Sequence, residues 1–349
     1  KGACILPHGV LFRGGAEGVI RRNLVQHGYV KGIIGLPANL FYGTGIPACI
    51  VVLDKEGAAA RKGIFMMDAS KGFIKDGNKN RLREQDIHRI VDVFAKQVDV
   101  PCYARMVPVT EIADAKNDYN LNLPRYIDST EPEDLQDIDG HLRGGIPGRD
   151  LDAFGAYWKV FPGVRAALFE SASRPGYARL KLPLSEVKAA ILGHPEFGAF
   201  QQLATQSFIN WRQAVTPRLV GFGKDDPPKG LIEMIAEDIL AIFRQVPLLD
   251  AYDIYQHLMD YWAETMQDDA YLIAADGWVA VPARIVEIDK KGKSKDKGWV
   301  CDLIPKPLIV ARYFAKEQAA LEAKQADLEA AIAALADLEE EHGSEEDYF

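Results

Sequence analysis

The chain has 349 residues, of which 48% are hydrophobic and 26% charged, and its formal net charge is −9. This composition is typical of soluble globular proteins, and the length predicts about two or three domains. No apolar run reaches the roughly 18 residues of a membrane span, and the first residues lack a secretory signal, so we expect a cytoplasmic protein with no membrane partner.

Cysteine and histidine spacing argues against a metal centre. The four cysteines show no Cys-x-x-Cys pair, and the seven histidines are scattered. We therefore predict no metal site, and no Ser/His/Asp catalytic set is recognisable. Cys4 and Cys49 lie in apolar runs, which predicts buried, reduced thiols.

Charge is unevenly distributed along the chain. Residues 1–125 carry 18 Lys and Arg against 12 Asp and Glu, whereas the remainder carries 23 against 38. The first third is therefore the part whose local field suits a polyanion.

Strand patterns dominate the first 70 residues. Continuous aliphatic runs predict strands buried on both faces, at 3–12, 29–37, 48–55 and 63–70. Short loops between the last strands suggest antiparallel additions at the sheet edge. Because the chain lacks an initiator Met and an apolar run begins at Ala3, we expect a piece cut from within a domain.

Two amphipathic helices accompany these strands. Residues 14–28 predict a helix that ends at Gly28, with an apolar face formed by Val19, Ile20, Leu24 and Val25. Residues 82–97 predict a second helix, with a stripe formed by Ile87, Ile90, Val91 and Phe94. The polar stretch 105–128 is predicted to be an ordered connector, because apolar residues alternate within it.

The rest of the chain is predicted to be mostly helical. Residues 131–250 are broken by Pro and Gly, and 248–269 predict a helix with Asp250 at its N-cap. Two strands flank a basic loop that contains Lys290, Lys291, Lys293, Lys295 and Lys297. Residues 308–341 predict a coiled-coil-like helix with a seven-residue repeat, formed by Phe314, Leu321, Leu328 and Leu335.

The stretch "NLFYGTGIP" places two aromatics beside a glycine-rich turn. Phe41 and Tyr42, followed by Gly43, Thr44 and Gly45, form a candidate stacking platform with an open rim. The alternative is a loop whose aromatics cap the sheet. Similarly, "FRGGAEG" opens a helix where backbone N–H groups suit an anion, or its glycines serve only a tight turn.

Basic residues cluster after the predicted strand at 63–70. We predict contacts to DNA phosphates from Lys71, Lys75, Lys79 and Arg81. The alternative is a solvated surface, and the same alternative applies to the later basic loop.

Four stretches together resemble the modification (M) subunits of type I restriction–modification systems. They are "LPHGVLFRGGAEGVIRRNLV", "GIIGLPANLFYGTGIPACIVVLDK", "FMMDASKGF" and "NDYNLNLPRYID". The resemblance covers residues 1–128 and extends to the C-terminal helices. That family methylates adenine N6 in DNA with S-adenosylmethionine.

The resemblance implies an α/β fold. Residues 1–128 would be the second half of a Rossmann-like methyltransferase sheet with its basic loops and connector. A mostly helical region, 129–250, would follow, and then a C-terminal region, 251–349, with a small β element and the coiled-coil-like helix. By position, Phe41 matches the family's stacking aromatic, with Tyr42 as second candidate for the wall of the target-base pocket.

The resemblance also shows what this chain lacks. The family's Gly-rich cofactor loop and its Asn-Pro-Pro-aromatic tetrapeptide both precede the strand at residue 3, and no Asn-Pro-Pro occurs in the sequence. We therefore expect no bound S-adenosylmethionine and no activity from this chain alone, although the intact parent would use that cofactor.

The implied partners are double-stranded DNA and the specificity (S) and restriction (R) subunits. The C-terminal seam would dock on the specificity subunit. The alternatives are a non-catalytic docking scaffold and another nucleotide-binding α/β enzyme, which the absence of a phosphate-loop fingerprint disfavours.

Overall fold

A computed structural model describes residues 1–130, 135–288 and 294–342 of the chain. The chain divides into two compact units. The first contains residues 1–217 and 233–261, and the second contains 218–232 and 262–349. In the described part of the chain, no helix is long and apolar enough to cross a membrane.

A five-stranded mixed sheet is the centre of the first unit. Its strands are β1 (Gly2–Pro7), β2 (Val30–Gly35), β3 (Ala48–Leu53), β4 (Gly63–Asp68) and a further strand, Ala104–Pro108. Between β4 and that last strand lies a small hairpin of β5 (Ile74–Asp76) and β6 (Lys79–Arg81), so Ala104–Pro108 is β7. The sheet order is β1-β3-β2-β4-β7.

Strand directions differ from the predicted arrangement. β2 and β4 are parallel, whereas β3 runs antiparallel to both β1 and β2 and lies between them. The antiparallel strand β3 is therefore internal, and β4 is parallel to β2, so the prediction that the last predicted strands are antiparallel additions at the edge is wrong. The antiparallel strand at that edge is β7. The sequence analysis missed β7, because its short, polar-flanked run reads as connector.

Two apolar clusters cover the two faces of this sheet. One contains Ile33, Ile64 and Val107 together with Leu121, Leu123 and Tyr126 of the connector. The other contains Ile34, Phe65 and Met67. Within each strand, successive side chains point to opposite faces of the sheet, so Ile33 and Ile34 of β2 belong to different clusters. The predicted connector is ordered, and it is part of the core.

The first strand is more exposed than predicted. β1 lies at the edge of the sheet, and Cys4 is exposed, whereas Cys49 in β3 is fully buried as expected. An edge strand has a neighbouring strand on one side only, so its side chains are less enclosed than those of a central strand. The apolar run therefore did not indicate burial here.

Two helices pack on opposite faces of the sheet. They are α1 (Gly15–Gln26) and α2 (Glu84–Lys96). The left-handed residue Gly28 (φ +66°) follows α1 as predicted. The apolar stripes are shifted, since Val19 and Ile20 on α1 and Ile87 and Val91 on α2 are exposed, while Val25, Ile90 and Val93 are buried.

Residues 109–261 are largely helical, as predicted for 131–250. The helices are α3 (Val109–Ile112), α4 (Ile138–Arg143), α5 (Gly148–Ala153), α6 (Gly155–Val160), α7 (Pro162–Leu168), α8 (Leu184–Leu192), α9 (Pro195–Gly221), α10 (Pro228–Phe243) and α11 (Ala251–Tyr261). The end of α9 and the start of α10 lie within 218–232 and so belong to the second unit. A three-stranded sheet that the sequence analysis missed consists of β8 (Ile146–Pro147), β9 (Phe169–Ser171) and β10 (Tyr177–Leu180). Asp250 caps α11 as predicted, because its Oδ1 accepts a hydrogen bond from the Tyr252 N–H at 2.8 Å.

Residues 262–342 belong to the second unit. A π-helical turn (Trp262–Met266) interrupts the predicted helix 248–269, and α12 (Gln267–Asp276) follows it. Two strands, β11 (Ala283–Ile288) and β12 (Ser294–Val300), form an exposed hairpin. β12 begins earlier than predicted, so Lys295 and Lys297 lie in this strand and not in a loop. Lys290, Lys291 and Lys293 lie outside the described residues. The predicted helix 308–341 is divided at Phe314 into α13 (Lys306–Tyr313) and α14 (Ala315–His342).

Candidate functional site

Three parallel strands end at one edge of the central sheet. β1 ends at Pro7, β2 at Gly35 and β4 at Asp68, and because these strands are parallel their carboxyl ends lie on the same side. This is the edge where α/β proteins place ligand-binding residues. The loop of residues 36–47, which we call the aromatic loop, leaves the sheet here and returns as β3.

The aromatic loop has a compact backbone. Asn39 (φ +55°) and Gly43 (φ +77°) both adopt the left-handed conformation, which bends the chain twice within five residues. The Asn39 N–H donates to the Gly45 carbonyl at 3.4 Å, and the Ile46 N–H donates to Thr44 Oγ1 at 3.1 Å. The first bond is longer than the ordinary range and the second is at its upper end, so the loop's own hydrogen bonds hold it weakly.

The two aromatics of the loop have different environments. Phe41 is half-buried and packs against the apolar cluster that contains Phe65 and Met67. Tyr42 is 95% exposed, and it projects from the loop without packing on the core. The sequence analysis treated Phe41 as the first stacking candidate, and the structure makes Tyr42 the aromatic that is freely available.

The β5–β6 hairpin donates hydrogen bonds to the backbone of the aromatic loop. Lys79 Nζ donates to the carbonyl oxygens of Phe41 (2.8 Å) and Thr44 (3.2 Å). Asn80, which is buried, donates from Nδ2 to Ala38 O at 2.7 Å, and its N–H donates to Asn39 O at 2.9 Å. These residues are therefore attached to the loop backbone.

The other predicted phosphate contacts lie on the hairpin and on the turn before it. Lys75 is exposed and forms no hydrogen bond or ion pair with the described residues. Arg81 is exposed and pairs with Asp76 at 3.4 Å. Lys71 lies on the turn between β4 and β5. Their contact with DNA stays a prediction.

Two polar residues at the same sheet edge were missed by the sequence analysis. The His8 N–H donates to Pro47 O (3.3 Å), and its Nε2 is buried without a hydrogen-bond partner among the described residues. Burial lowers the pKa of His8, and the Ala48 carbonyl and the Asp68 carboxylate offset this only in part. Asp68 Oδ2 accepts a hydrogen bond from Ser129 Oγ at 2.5 Å. Both residues follow parallel strands, and that position was the available signal.

The glycine pair at the start of α1 serves a turn. Gly15 has φ +64° and Gly14 is the N-cap residue. Arg21 of the same helix donates to the carbonyl oxygens of Val10, Arg13 and Tyr119. This guanidinium thus satisfies backbone acceptors of the surrounding loops.

Comparison with known proteins assigns the sheet that carries the aromatic loop. Its sequence, residues 1–135, matches the family described as N-6 DNA Methylase. Residues 1–135 are therefore similar to members of that family. The match includes the aromatic loop, the hairpin and the sheet edge that contains His8 and Asp68.

The chain is also similar to methylase subunits of type I restriction enzymes. The MjaVII subunit of Methanocaldococcus jannaschii is 39% identical over 143 residues, which are 40% of this chain and 24% of that protein. The MpnII subunit of Mycoplasma pneumoniae is 34% identical over 130 residues, which are 37% of this chain and 23% of that protein. The chain thus spans about a quarter of the length of the curated relatives it matches.

A solved structure is also similar to part of this chain. It is the methyltransferase subunit of a type I restriction-modification system from Streptococcus thermophilus, with 42% identity over 36% of this chain and 26% of that chain. The TM-score is 0.33.

The strand order of the described sheet bears on where a cofactor could bind. In α/β sheets a nucleotide-like ligand binds where the connections from two neighbouring parallel strands run in opposite directions. Among the described residues, the chain crosses from β1 to β2 to β4 in a single direction. We assign no residue of this sheet to S-adenosylmethionine.

The predicted docking seam lies on the surface of α14 and its N-terminal junction. Phe314, Leu321, Leu328 and Leu335 are 52–60% exposed. Exposed large apolar residues in a repeat are consistent with a partner helix, and the docking itself stays a prediction.

Proposed function

We propose that this chain is part of a type I restriction–modification M subunit that methylates adenine N6 in double-stranded DNA. The match of residues 1–135 to the N-6 DNA methylase family carries this proposal. The family implies S-adenosylmethionine as the methyl donor of the intact protein. The specificity and restriction subunits would be the protein partners, as in the relatives' restriction systems.

The aromatic loop is the proposed wall of the pocket for an extruded adenine. Methyltransferases that act on a base must take it out of the stack, which costs a few kcal/mol, and aromatic stacking offsets part of this cost. An aromatic that is 95% exposed, on a loop at the ligand-binding edge of the sheet, is suited to that role. Phe41, Gly43, Thr44 and Gly45 would shape the pocket around Tyr42.

Basic residues beside the aromatic loop are the proposed contacts to the DNA backbone. Lys75 and Arg81 are exposed on the hairpin, and Lys71 lies on the turn before it. Phosphate contacts of this kind orient a duplex without reading its sequence.

We further propose that the chain is inactive alone and that its sheet is extended at β1. One side of β1 has no neighbouring strand among the described residues. Beside it lies an apolar cavity of about 220 Å³ whose lining includes Leu6, Val10, Ile20 and Leu24. An open strand edge next to an apolar cavity favours the addition of a further strand and helix.

The test uses the chain alone and a chimera. In the chimera, the segment of the M. jannaschii relative that precedes its matched region is joined to Lys1. Transfer of a radiolabelled methyl group to DNA is measured for both proteins with the relative's specificity subunit. We expect methylation by the chimera only. Methylation by the chain alone would refute its inactivity.

The alternative is a non-catalytic docking scaffold, favoured by the exposed apolar seam on α14. A chimera that binds the specificity subunit and DNA without methylating any adenine would support this alternative and contradict the proposed activity.

A further inference from the structure

We infer that the β5–β6 hairpin fixes the conformation of the aromatic loop, and that Lys79 and Asn80 are positioning residues. Both would fix the loop geometry that presents Tyr42, and neither would contact DNA directly. The meaning of the loop as a base pocket rests on the proposed function, whereas its attachment to the hairpin can be tested independently.

Four hydrogen bonds join the hairpin to the loop. Lys79 supplies two through its ammonium group and Asn80 supplies two through its amide and its backbone N–H, at 2.7–3.2 Å. The acceptors are the carbonyl oxygens of Ala38, Asn39, Phe41 and Thr44. Every acceptor is a backbone atom, so the four bonds constrain the path of the main chain and not one side chain.

Most of these bonds are shorter than those within the loop itself. The internal bonds of the loop measure 3.1 and 3.4 Å, whereas three of the four hairpin bonds are 2.9 Å or less. Those of Lys79 are also charge-assisted, which makes them stronger than neutral ones. The loop geometry therefore depends more on the hairpin than on the loop.

The hairpin leads directly into α2. Arg83, two residues after β6, is the N-cap residue of α2 and forms a bidentate pair with the buried Asp86, and both bonds are 2.9 Å. The Arg83 N–H also donates to Asp86 Oδ2 at 2.9 Å. Because α2 packs on the sheet through Ile90 and Val93, the C-terminal end of the hairpin lies two residues from a helix that is fixed to the core.

Lys75 provides the contrast on the same hairpin. Lys79 is half-buried, and two of its three ammonium donors are used by loop carbonyls. Lys75 is exposed and has no contact with the loop within the described residues. The two lysines carry the same charge, so a phosphate-contact role would make their loss equivalent.

Amide hydrogen–deuterium exchange of the 349-residue chain tests whether the hairpin fixes the aromatic loop. Lys79→Met should raise exchange of residues 38–46 on the order of tenfold, since loss of charge-assisted bonds shifts a local opening equilibrium by about that factor. Asn80→Ala should act in the same direction. The matched control Lys75→Met should leave exchange of these residues unchanged.

The fold control is exchange of the buried residues 64–67 in β4. If Lys79→Met raises exchange there too, the polar variant Lys79→Gln decides, because it removes the charge without placing a methyl group beside the loop carbonyls. The inference is wrong if residues 38–46 exchange at the wild-type rate in Lys79→Met, or in Lys79→Gln where that variant decides. It is also wrong if Lys75→Met raises the exchange of these residues as much as the Lys79 variant does.

The methylating chimera gives the functional readout. Lys79→Met should lower kcat and change the KM for DNA by less than about twofold, because a positioning residue acts on the bound base. Lys75→Met should raise the KM in a salt-dependent manner. If both variants raise the KM alike, Lys79 is a phosphate contact. If the chimera is inactive, the proposed function fails, while the exchange result still decides whether the hairpin fixes the aromatic loop.

Discussion

The two aromatics of the loop predict opposite effects of matched alanine substitutions. Phe41 is half-buried against the cluster that contains Phe65 and Met67, whereas Tyr42 is 95% exposed. Full burial makes Phe→Ala cost about 3–5 kcal/mol, so the partial burial of Phe41 predicts a somewhat smaller cost of about 2–4 kcal/mol for Phe41→Ala. Tyr42→Ala should change the free energy of unfolding by less than about 0.5 kcal/mol.

Activity should respond in the other order. If Tyr42 stacks on the extruded base, its loss removes about 1–3 kcal/mol, which lowers methylation roughly tenfold to a hundredfold. Phe41→Ala should lower methylation mainly through loss of folded protein. This reverses the order that the family resemblance implies, in which Phe41 is the stacking residue.

The assay is urea unfolding of the 349-residue chain by circular dichroism, combined with methylation by the chimera per folded molecule. If Phe41→Ala unfolds at the wild-type urea concentration and loses activity, Phe41 is the stacking residue and the packing argument is wrong. If Tyr42→Ala retains full activity, the exposed aromatic is not part of the pocket.

Three further predictions concern stability and docking. Stability should fall as pH drops below the ordinary histidine pKa of about 6.5, because the lowered pKa of His8 means that the unfolded chain binds its proton first; His8→Gln should flatten the melting temperature between pH 7.5 and 5.5, and an unchanged slope would contradict this. Gly28→Ala should destabilise the chain by about 1–3 kcal/mol more than Gly57→Ala, since both glycines have φ +66° but a Cβ on Gly28 would lie 2.2 Å from Ala58 O, with nothing within 4 Å at Gly57; equal urea midpoints would exclude the clash. Leu321→Glu with Leu328→Glu should abolish co-purification of the chain with a specificity subunit without changing its circular dichroism, while the control Ala319→Glu with Ala326→Glu should still bind; unfolding would instead place the seam in an internal core.

Local patterns in the sequence correctly located most of the secondary structure. β2, β3, β4, α1 and α2 form where periodicity and turn residues predict them, and Gly28 and Asp250 flank their helices as expected. Helix 308–341 was wrong at Phe314, where the chain turns between α13 and α14. Such interruptions depend on backbone geometry that a heptad pattern does not contain.

Some features of the candidate site were recognisable in the sequence and others were not. The aromatic loop was recognisable because its aromatics, glycines and proline are contiguous in sequence. The role of Lys79 was not, since its acceptors are backbone carbonyls 35 and 38 residues away. A basic residue on a loop looks alike in sequence whether it contacts a phosphate or a carbonyl of its own chain.

The sequence by itself therefore determined the α/β elements, the position of the aromatic loop and the resemblance to M subunits. Only the tertiary structure decided that β3 lies inside the sheet, that β1 is an exposed edge, and that Tyr42 is exposed while Phe41 packs. The physical reason is that burial and hydrogen-bond partners depend on residues distant in sequence. For Cys4 and Cys49, similar apolar runs lead to opposite exposure because one strand lies at the edge of the sheet and the other has a neighbour on each side.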